Sequence, residues 1–353
     1  MAANITYHEQ TDMDNIRKLR EVLKTLPAFA KDYFRAIEPT TSTKTRISYA
    51  YDIRIFFQFL ISQNPSLAKI GIPNLNVSVL DQLKPIDIEE YMEYLKLYDS
   101  PNDQMTITNG ERGLKRKISS LRSFYTYYYK RQAIETNPVQ LVDMPKIHDK
   151  AIIRLDAGET AALLDYIEHC GDQLTGQRKA YYEKTKLRDL AIVTLLLGTG
   201  IRVSECVGLD MEDIDFRNNG IRLIRKGGSE MVVYFGPEVE KALKDYLEAR
   251  KAISPLEGHE HALFYSTQRK RIGVQAVENL VKKYARAITT TKKITPHKLR
   301  STSGTTLYQE TGDIYLVADV LGHKDVNTTK KHYAAMDDAR RRKAATAIRL
   351  RED

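Results

Sequence analysis

The chain has 353 residues, of which 42% are hydrophobic and 29% charged, so it is long enough to bury cores in two domains. Lys and Arg outnumber Asp and Glu by 55 to 46, and the net charge of +9 favours a polyanionic partner, because basic side chains gain by displacing condensed counterions. Cys170 and Cys206 are too few for a disulfide framework, and neither a signal-peptide pattern nor a membrane-length apolar run is present. These features argue against a secreted or membrane protein and predict a cytoplasmic one.

Apolar residues at helical spacing predict helices in the N-terminal half, over residues 16–37, 43–62 and 85–98. Ser and Thr in "TSTK" are suited to cap the second helix, and Pro85 lies near the start of the third. The polar stretch "DSPNDQMTITNG", residues 99–110, is predicted to be a loop.

The helix predicted over residues 111–132 has two contrasting faces. Its apolar stripe consists of Leu114, Ile118, Leu121, Tyr125 and Tyr128. Its opposite face has basic and hydroxyl side chains without an acid: Arg112, Lys115, Arg116, Ser119, Arg122, Ser123 and Thr126. A solvated face normally mixes charges of both signs, whereas phosphate contacts require basic and hydroxyl groups. The predicted DNA-binding residues are Lys44, Arg46, Arg112, Lys115, Arg116, Ser119 and Arg122.

Two prolines and no helical period predict an interdomain linker over residues 137–150. Beyond it, helices are predicted over 156–170 and 186–200, the second ending on glycines suited to a C-cap, and a β-hairpin around Gly-Gly over 221–236. Four further helices are predicted over residues 237–250, 273–288, 296–310 and 313–322. The fold class expected is therefore mainly α with a small β-sheet, α+β.

Six residues of the C-terminal half are suited to phosphate chemistry: Arg202, Lys226, His297, Arg300, His323 and Tyr333. Taken singly, each has an ordinary structural explanation. Arg202 in "GTGIRVSE" could be a surface arginine paired with Glu205, Lys226 a solvated turn residue, and His323 in "LGHK" a helix cap. His297 and Arg300 are three apart in "TPHKLRST", so on a helix they point to the same side.

Together these residue types describe one reaction. Two arginines can grip a phosphate through paired N–H bonds and neutralise the charge of a pentacoordinate transition state. A tyrosine can attack phosphorus, although its ordinary pKa of about 10 means that it needs cationic neighbours or a base. A histidine can take that proton or hold the phosphate, and a lysine near the leaving oxygen can act as general acid. The set predicts a metal-free phosphodiester transesterase with a covalent phosphotyrosine intermediate.

The order of "TGIRVSE", a lysine in a hairpin turn, "HKLR", "LGH" and a tyrosine after "TT" resembles that of the tyrosine recombinases, also called tyrosine integrases. In the N-terminal half, "TSTKTRISYAYDIRIFFQFL" and "RKISSLRSFYTYYYKRQAIETNPVQLVDMPK" resemble the core-binding domain of Xer-type members. The resemblance covers nearly the whole chain from about residue 30.

The resemblance implies a role for each of these residues. Arg202 and Arg300 would clamp the scissile phosphate, and Lys226 would protonate the leaving 5′ hydroxyl. Tyr333 would be the nucleophile that forms a 3′-phosphotyrosyl bond. His297 and His323 would hydrogen-bond the phosphate or assist proton transfer, and Glu205 would orient the site.

The resemblance also implies an architecture: an all-helical, SAM-like core-binding domain followed by the catalytic domain, together a C-shaped clamp on DNA. The predicted divisions are an N-terminal extension 1–25, a core-binding domain 26–136, the linker 137–150, a catalytic domain 151–336 and a tail 337–353. The expected partner is double-stranded DNA with paired half-sites, bound by a homotetramer or by a heterotetramer with a second recombinase. Strands would be exchanged through a Holliday junction at the bacterial nucleoid, with no cofactor, ATP or metal.

Three features depart from the Xer pattern. Ser301 stands where many relatives have a second histidine, the interval from His323 to Tyr333 is one residue longer than in many Xer proteins, and residues 168–185 look like an insertion. Chromosome-dimer resolution, which would assign the protein to chromosome partition, and mobile-element integration or inversion therefore both stay open. The basic run 340–343 in the tail is expected either to be solvated, to touch DNA, or to belong to a segment that docks in cis or in trans.

Three other classes compete with this interpretation. A metal-dependent nuclease would draw its ligands from acids that lie close together: Asp210, Glu212, Asp213 and Asp215. A type IB topoisomerase would use similar chemistry as a monomer, and a DNA-binding regulator would keep the fold without catalysis. Should the nucleophile not be Tyr333, Tyr308 and Tyr315 are next in line.

Overall fold

The computed structural model describes residues 6–99, 105–148, 152–225, 230–323 and 325–326. The chain divides into two compact units, Met1–Lys150 and Ala151–Asp353. The described residues form mainly helices with two small antiparallel sheets, which confirms the predicted α+β class. Among these residues, no helix is long and apolar enough to cross a membrane.

The first unit is built around helices with aromatic cores. Its elements are α1 (Tyr7–Lys24), α2 (Ala30–Ala36), α3 (Thr43–Gln63), α4 (Pro65–Ile70), α5 (Pro85–Lys96), β1 (Leu97–Asp99), β2 (Thr106–Thr108), α6 (Glu111–Lys130) and α7 (Pro138–Leu141). Ser42 caps α3 by accepting a hydrogen bond from the backbone N–H of Thr45, as its type predicts. Phe56 and Phe57 of α3 pack with Phe124 and Tyr125 of α6 in the buried core.

Two local predictions differ from this structure. The single helix predicted over 16–37 is two helices, because Pro27 lacks a backbone N–H and disfavours helical conformation in the residue before it. The predicted loop over 99–110 contains β2, which pairs antiparallel with β1 in the register Leu97↔Thr108.

The core of the first unit also extends past two predicted boundaries. Leu19 and Val22 of α1 are buried in it, although the core-binding domain was predicted to begin at residue 26. Val139 and Val142 are buried in the same core, although they fall in the predicted linker over 137–150. In both segments, short apolar anchors lie between polar or proline-rich flanks, so hydrophobic periodicity alone does not predict their burial.

The second unit packs helices around α9 and adds a three-stranded sheet. Its elements are α8 (Ala157–His169), α9 (Gly176–Thr199), α10 (Val203–Gly208), β3 (Ile214–Asp215), β4 (Gly220–Ile224), β5 (Glu230–Tyr234), α11 (Pro237–Arg250), α12 (Val274–Ile288), α13 (Pro296–Thr311) and α14 (Ile314–Leu321). The strands are antiparallel in the order β3-β4-β5, with Ile221 opposite Val233. The predicted hairpin and helices are confirmed, whereas β3 was not predicted. Helix α9 begins ten residues earlier than predicted, within the stretch 168–185 that resembles an insertion.

Helix α9 positions the site because its buried run Ala191–Leu196 anchors it in the core and its last residue, Thr199, is buried as well. It stops at Thr199, and Gly200 follows in the left-handed conformation with φ of 63°, the predicted glycine C-cap. The ends of α9 and α14 and the starts of α10 and α13 then supply the candidate site.

Candidate active site

Arg202 is the N-cap residue of α10, and the third helical residue, Glu205, reaches back to it. The backbone N–H of Arg202 donates to Oε2 of Glu205 over 2.7 Å, and Nη1 of Arg202 donates to Oε1 over 2.7 Å. The carboxylate is 7% exposed and lies at a helix N-terminus, where the helix dipole favours negative charge. Glu205 thus orients an arginine whose side chain stays 41% exposed.

Arg300 lies on α13 and is almost fully buried, yet it contacts two other elements. Its Nη1 donates to the carbonyl oxygen of Gly200 over 2.5 Å, and its Nη2 donates to the carbonyl oxygen of Leu321. Arg300 therefore joins the end of α9 to the end of α14.

The turn Leu321–His323 is where both arginines meet. Gly322 has φ of 60°, which ends α14, and its carbonyl oxygen accepts a hydrogen bond from Nη2 of Arg202 over 3.1 Å. The backbone N–H of His323 donates to the carbonyl oxygen of Ala318 over 2.9 Å, so the half-buried histidine is fixed at the helix end. The structure brings Arg202, Arg300 and His323 together from three separate stretches of sequence.

His297 lies in the first turn of α13, one turn before Arg300, and is exposed. The Oγ of Ser301 donates to the carbonyl oxygen of His297 over 3.0 Å, so this serine bonds to the helix backbone. Lys226 and Tyr333 lie outside the described residues, as does the tail over 337–353.

Arg225 is a residue of this region that sequence reasoning missed. Its side chain is 10% exposed, and its Nη2 donates to the carbonyl oxygen of Val320 over 3.1 Å. Burial lowers the pKa of this guanidinium, while the Glu205 carboxylate, 3.8 Å away, acts in the opposite direction. The alternation along β4, with Leu223 buried and Ile224 exposed, could have placed Arg225 on the inward side.

The described side chains around the turn therefore include three guanidinium groups, of Arg202, Arg225 and Arg300, against two carboxylates, the buried Glu205 and the exposed Asp319. This imbalance leaves positive charge next to exposed arginine N–H groups. Such an arrangement suits a phosphate, which takes paired N–H bonds from planar guanidinium groups.

The predicted DNA-binding face of the first unit is partly internal. Nη2 of Arg122 donates to the carbonyl oxygens of Val139 and Val142 over 3.1 and 2.8 Å. Arg116 pairs with the buried Asp52.

Arg46 is also turned inward: it is 7% exposed and pairs with Glu38 over 3.2 Å. Lys44 and Arg112 are exposed, and Lys115 and Ser119 are half-buried. The apolar stripe of α6 is buried as predicted.

The acids proposed as metal ligands each have a different partner. Asp210 pairs with Arg271, and Asp213 pairs with Arg222 over 3.0 Å. Glu212 hydrogen-bonds His261 over 2.8 Å, and Asp215 accepts the backbone N–H of Arg217 over 2.8 Å. Within the described ranges, no three His, Cys, Asp or Glu side chains are grouped to hold a metal ion. The nuclease interpretation therefore lacks a ligand cluster in this part of the chain.

A helical unit followed by a mixed unit, with two arginines and a histidine converging on one turn, defines a DNA strand-transfer class of protein. Residues 154–340 match the Phage integrase family, and the chain belongs to this family of tyrosine recombinases. It is 32% identical over 346 residues to tyrosine recombinase XerC of Caldanaerobacter subterraneus subsp. tengcongensis, covering 94% of this chain and 90% of that one. It is 30% identical over 339 residues to tyrosine recombinase XerS of Lactococcus lactis subsp. cremoris, covering 90% and 93%.

Solved structures show the same fold. The XerH site-specific recombinase bound to palindromic difH substrate aligns with a TM-score of 0.64 at 19% identity, covering 86% of this chain and 80% of that chain. The Tn1549 transposon integrase in complex with transposon right end DNA aligns with a TM-score of 0.62 at 21% identity, covering 90% and 98%. The family confirms the resemblance read from the sequence: the protein is a DNA-binding, site-specific tyrosine recombinase.

Proposed function

We propose that this recombinase cuts DNA by attack of the Tyr333 hydroxyl on the scissile phosphate. The bond from the tyrosine oxygen to phosphorus forms as the bond from phosphorus to the 5′ oxygen breaks. His297 takes the proton of the tyrosine hydroxyl, the 5′ oxygen leaves with a proton donated by Lys226, and the DNA retains a 3′-phosphotyrosyl link; both proton transfers reverse in the second step. A 5′ hydroxyl from the partner strand then attacks that link, restores the phosphodiester and frees the tyrosine. Each step exchanges one phosphate ester for another, so no ATP is consumed.

One observation carries this proposal: Arg202 and Arg300, distant in sequence, bind the carbonyl oxygens of the neighbouring residues Gly322 and Leu321. Their guanidinium groups are therefore held on the same turn, in an arrangement that supports a two-arginine clamp on one phosphate. Preorganised donors of this kind stabilise the added charge of the transition state without rearrangement during the reaction.

The remaining site residues support the clamp in our proposal. His323, fixed next to Gly322, hydrogen-bonds the phosphate, and His297, exposed one turn before Arg300, assists proton transfer. Glu205 touches Arg202 and is assigned an orienting role, since both of its oxygens accept hydrogen bonds from that residue.

DNA with paired half-sites is the proposed substrate, bound by four protomers that exchange strands through a Holliday junction. Lys44, Arg112 and Lys115 are proposed to contact its phosphates, since exposed or half-exposed cations meet that requirement. Relatives named XerC and XerS align over nine-tenths of this chain, which supports a stand-alone Xer-type role in the cytoplasm over an element-borne integrase.

The test is a nicked duplex carrying candidate sites from sequence flanking the gene, incubated with enzyme in EDTA and then denatured. We expect wild-type protein to become linked to a 3′ DNA end and Tyr333→Phe to form no link. Tyr315→Phe is the matched control, because Tyr315 is 71% exposed and should be dispensable. If Tyr333→Phe still becomes linked to DNA, Tyr308 or Tyr315 is the nucleophile instead. If neither protein becomes linked to a site that it binds, a DNA-binding regulator is favoured.

A further inference from the structure

Arg225 occupies the space behind the turn that both clamp arginines touch. Its Nη2 donates to the carbonyl oxygen of Val320 over 3.1 Å, so it holds the last turn of α14. A Cβ atom built on Gly322 would lie 1.4 Å from Nη1 of Arg225. The guanidinium therefore fills the volume that a side chain at position 322 would need, next to the backbone that precedes His323.

The same guanidinium faces the carboxylate that orients Arg202. Nε of Arg225 is 3.8 Å from Oε1 of Glu205, too long for a hydrogen bond, and that buried nitrogen has no hydrogen-bond partner in the described part of the chain. Oε1 of Glu205 accepts its hydrogen bond from Arg202 instead, over 2.7 Å. Glu205 thus lies between two cations, one exposed and one buried.

Other arginines of the described residues, Arg122 among them, also have a buried Nε without a hydrogen-bond partner, so the unpaired donor does not distinguish Arg225. Its position does, because its guanidinium lies against both Glu205 and the turn that the two clamp arginines touch. Its positive charge attracts the carboxylate that accepts from Arg202, and its hydrogen bond to the carbonyl oxygen of Val320 holds the turn whose next residues accept from the clamp arginines.

We propose that Arg225 is a positioning residue for the phosphate clamp, wedged between Glu205 and the turn Val320–Gly322 so that Arg202 points at the scissile phosphate. This inference rests on the proposed function, in which Arg202 binds that phosphate. Arg225 itself does not touch DNA in this scheme. It acts through Arg202. Loss of Arg225 should therefore weaken neutralisation of the phosphate charge without affecting protonation of the 5′ leaving group.

The experiment measures single-turnover strand cleavage on three versions of one nicked site. Cleaved DNA is counted whether it is still joined covalently to the protein or has been released from it. The first has the natural phosphodiester, the second an uncharged methylphosphonate at the scissile position, and the third a 5′ sulfur leaving group that needs no proton. The variants are Arg225→Met, which keeps the stem but removes the charge, and Arg225→Lys, which remains informative should the Met variant fail to fold. Arg222→Met is the matched control, because Arg222 lies on the same strand with its side chain 52% exposed.

On the phosphodiester we expect Arg225→Met to be slower by about 100-fold, the usual effect of a misplacement of about 1 Å, and Arg225→Lys by about 10-fold. On the methylphosphonate the defect of both variants should shrink to a few-fold, and the sulfur leaving group should not relieve it. Arg222→Met should match the wild type on all three.

Three results would overturn the inference: wild-type cleavage by Arg225→Met, an equal defect on all three substrates, or rescue only by the sulfur leaving group. The second would make the residue purely structural, and the third would make it act through the neighbouring Lys226. Arg202→Gln on the same substrates tests the clamp separately. If the methylphosphonate fails to rescue Arg202→Gln, the clamp assignment fails, whatever Arg225 does.

Discussion

Nη1 of Arg300 lies 2.5 Å from the carbonyl oxygen of Gly200, so a buried arginine of α13 is bonded to the residue that ends α9. The clamp is therefore anchored to backbone atoms of two helix ends. Changes in those backbone turns should affect stability and catalysis together, although they alter no catalytic side chain.

Gly200→Ala tests the dependence of stability on these turns. Gly200 has φ of 63°, and a Cβ atom there would lie 2.7 Å from Cδ2 of Leu321 and 3.0 Å from Oγ of Ser303. Left-handed strain and overpacking together should lower the free energy of unfolding by about 2–4 kcal/mol. Gly176→Ala is the control, since Gly176 has φ of 55° with nothing within 4 Å of a Cβ, and should lose only about 1–2 kcal/mol. Equal losses in urea denaturation would contradict the packing contact.

Arg202→Gln should slow cleavage by about 10²–10³-fold, because it removes preorganised charged donors from the transition state. DNA affinity should change little, since one contact of many is lost. Single-turnover cleavage and a gel-shift titration at fixed salt measure the two effects. Arg217→Gln, an exposed arginine on the same unit, is expected to retain wild-type cleavage; a similar loss there would mean that net charge matters more than position.

Two arginines of α6 should respond differently to the same change. Arg112 is exposed, so Arg112→Gln should lower the slope of log affinity against log salt by about 0.9 and leave stability unchanged. Arg122 donates to the carbonyl oxygens of Val139 and Val142, so Arg122→Gln should lower the free energy of unfolding by about 1–3 kcal/mol with an unchanged salt slope. Salt-dependent binding and thermal unfolding of both variants check this; a reversed pattern would show that Arg122 contacts DNA.

Asp52 should make the stability of the protein depend on pH. Burial raises the pKa of this carboxyl, outweighing Arg116 and Lys117, which lower it. The folded state therefore binds the proton more readily than the unfolded state, whose Asp pKa is about 3.9. The stability that Asp52 contributes is full below that value and lost as the pH rises through the folded pKa. Relative to the non-titrating Asp52→Asn, the wild type should gain stability in urea unfolding as the pH falls from 7 towards about 4. A constant difference between the two proteins would refute the shift.

Strand cleavage should persist in EDTA at concentrations that remove magnesium. The acids of the rival metal site are bonded to separate partners, among them Arg271, Arg222 and His261. A magnesium-dependent endonuclease serves as the control and should lose activity under the same conditions. Loss of cleavage by the recombinase, with recovery on adding magnesium, would return the nuclease mechanism to consideration.

Local signals in the sequence were sufficient for most elements. Helix α3 with its Ser42 cap, helix α6 with its buried stripe and the hairpin of β4 and β5 all follow from periodicity and capping residues. The errors came where a non-local contact decides: β2 pairs with β1, and Val139 enters a core formed by distant helices.

The sequence by itself determined the family and the types of residue available for the reaction, because the order of the arginine, histidine and tyrosine motifs is specific. Tertiary structure alone decided which cations surround the site and which serve the fold. Arg122 lies on the predicted DNA face yet donates to backbone carbonyls, whereas Arg225, which precedes Lys226 in the hairpin and was given no role by the sequence, lies beside Glu205. The physical reason is that a guanidinium bonds to whatever acceptors folding brings within about 3 Å, and periodicity in a sequence carries no record of such contacts between distant segments.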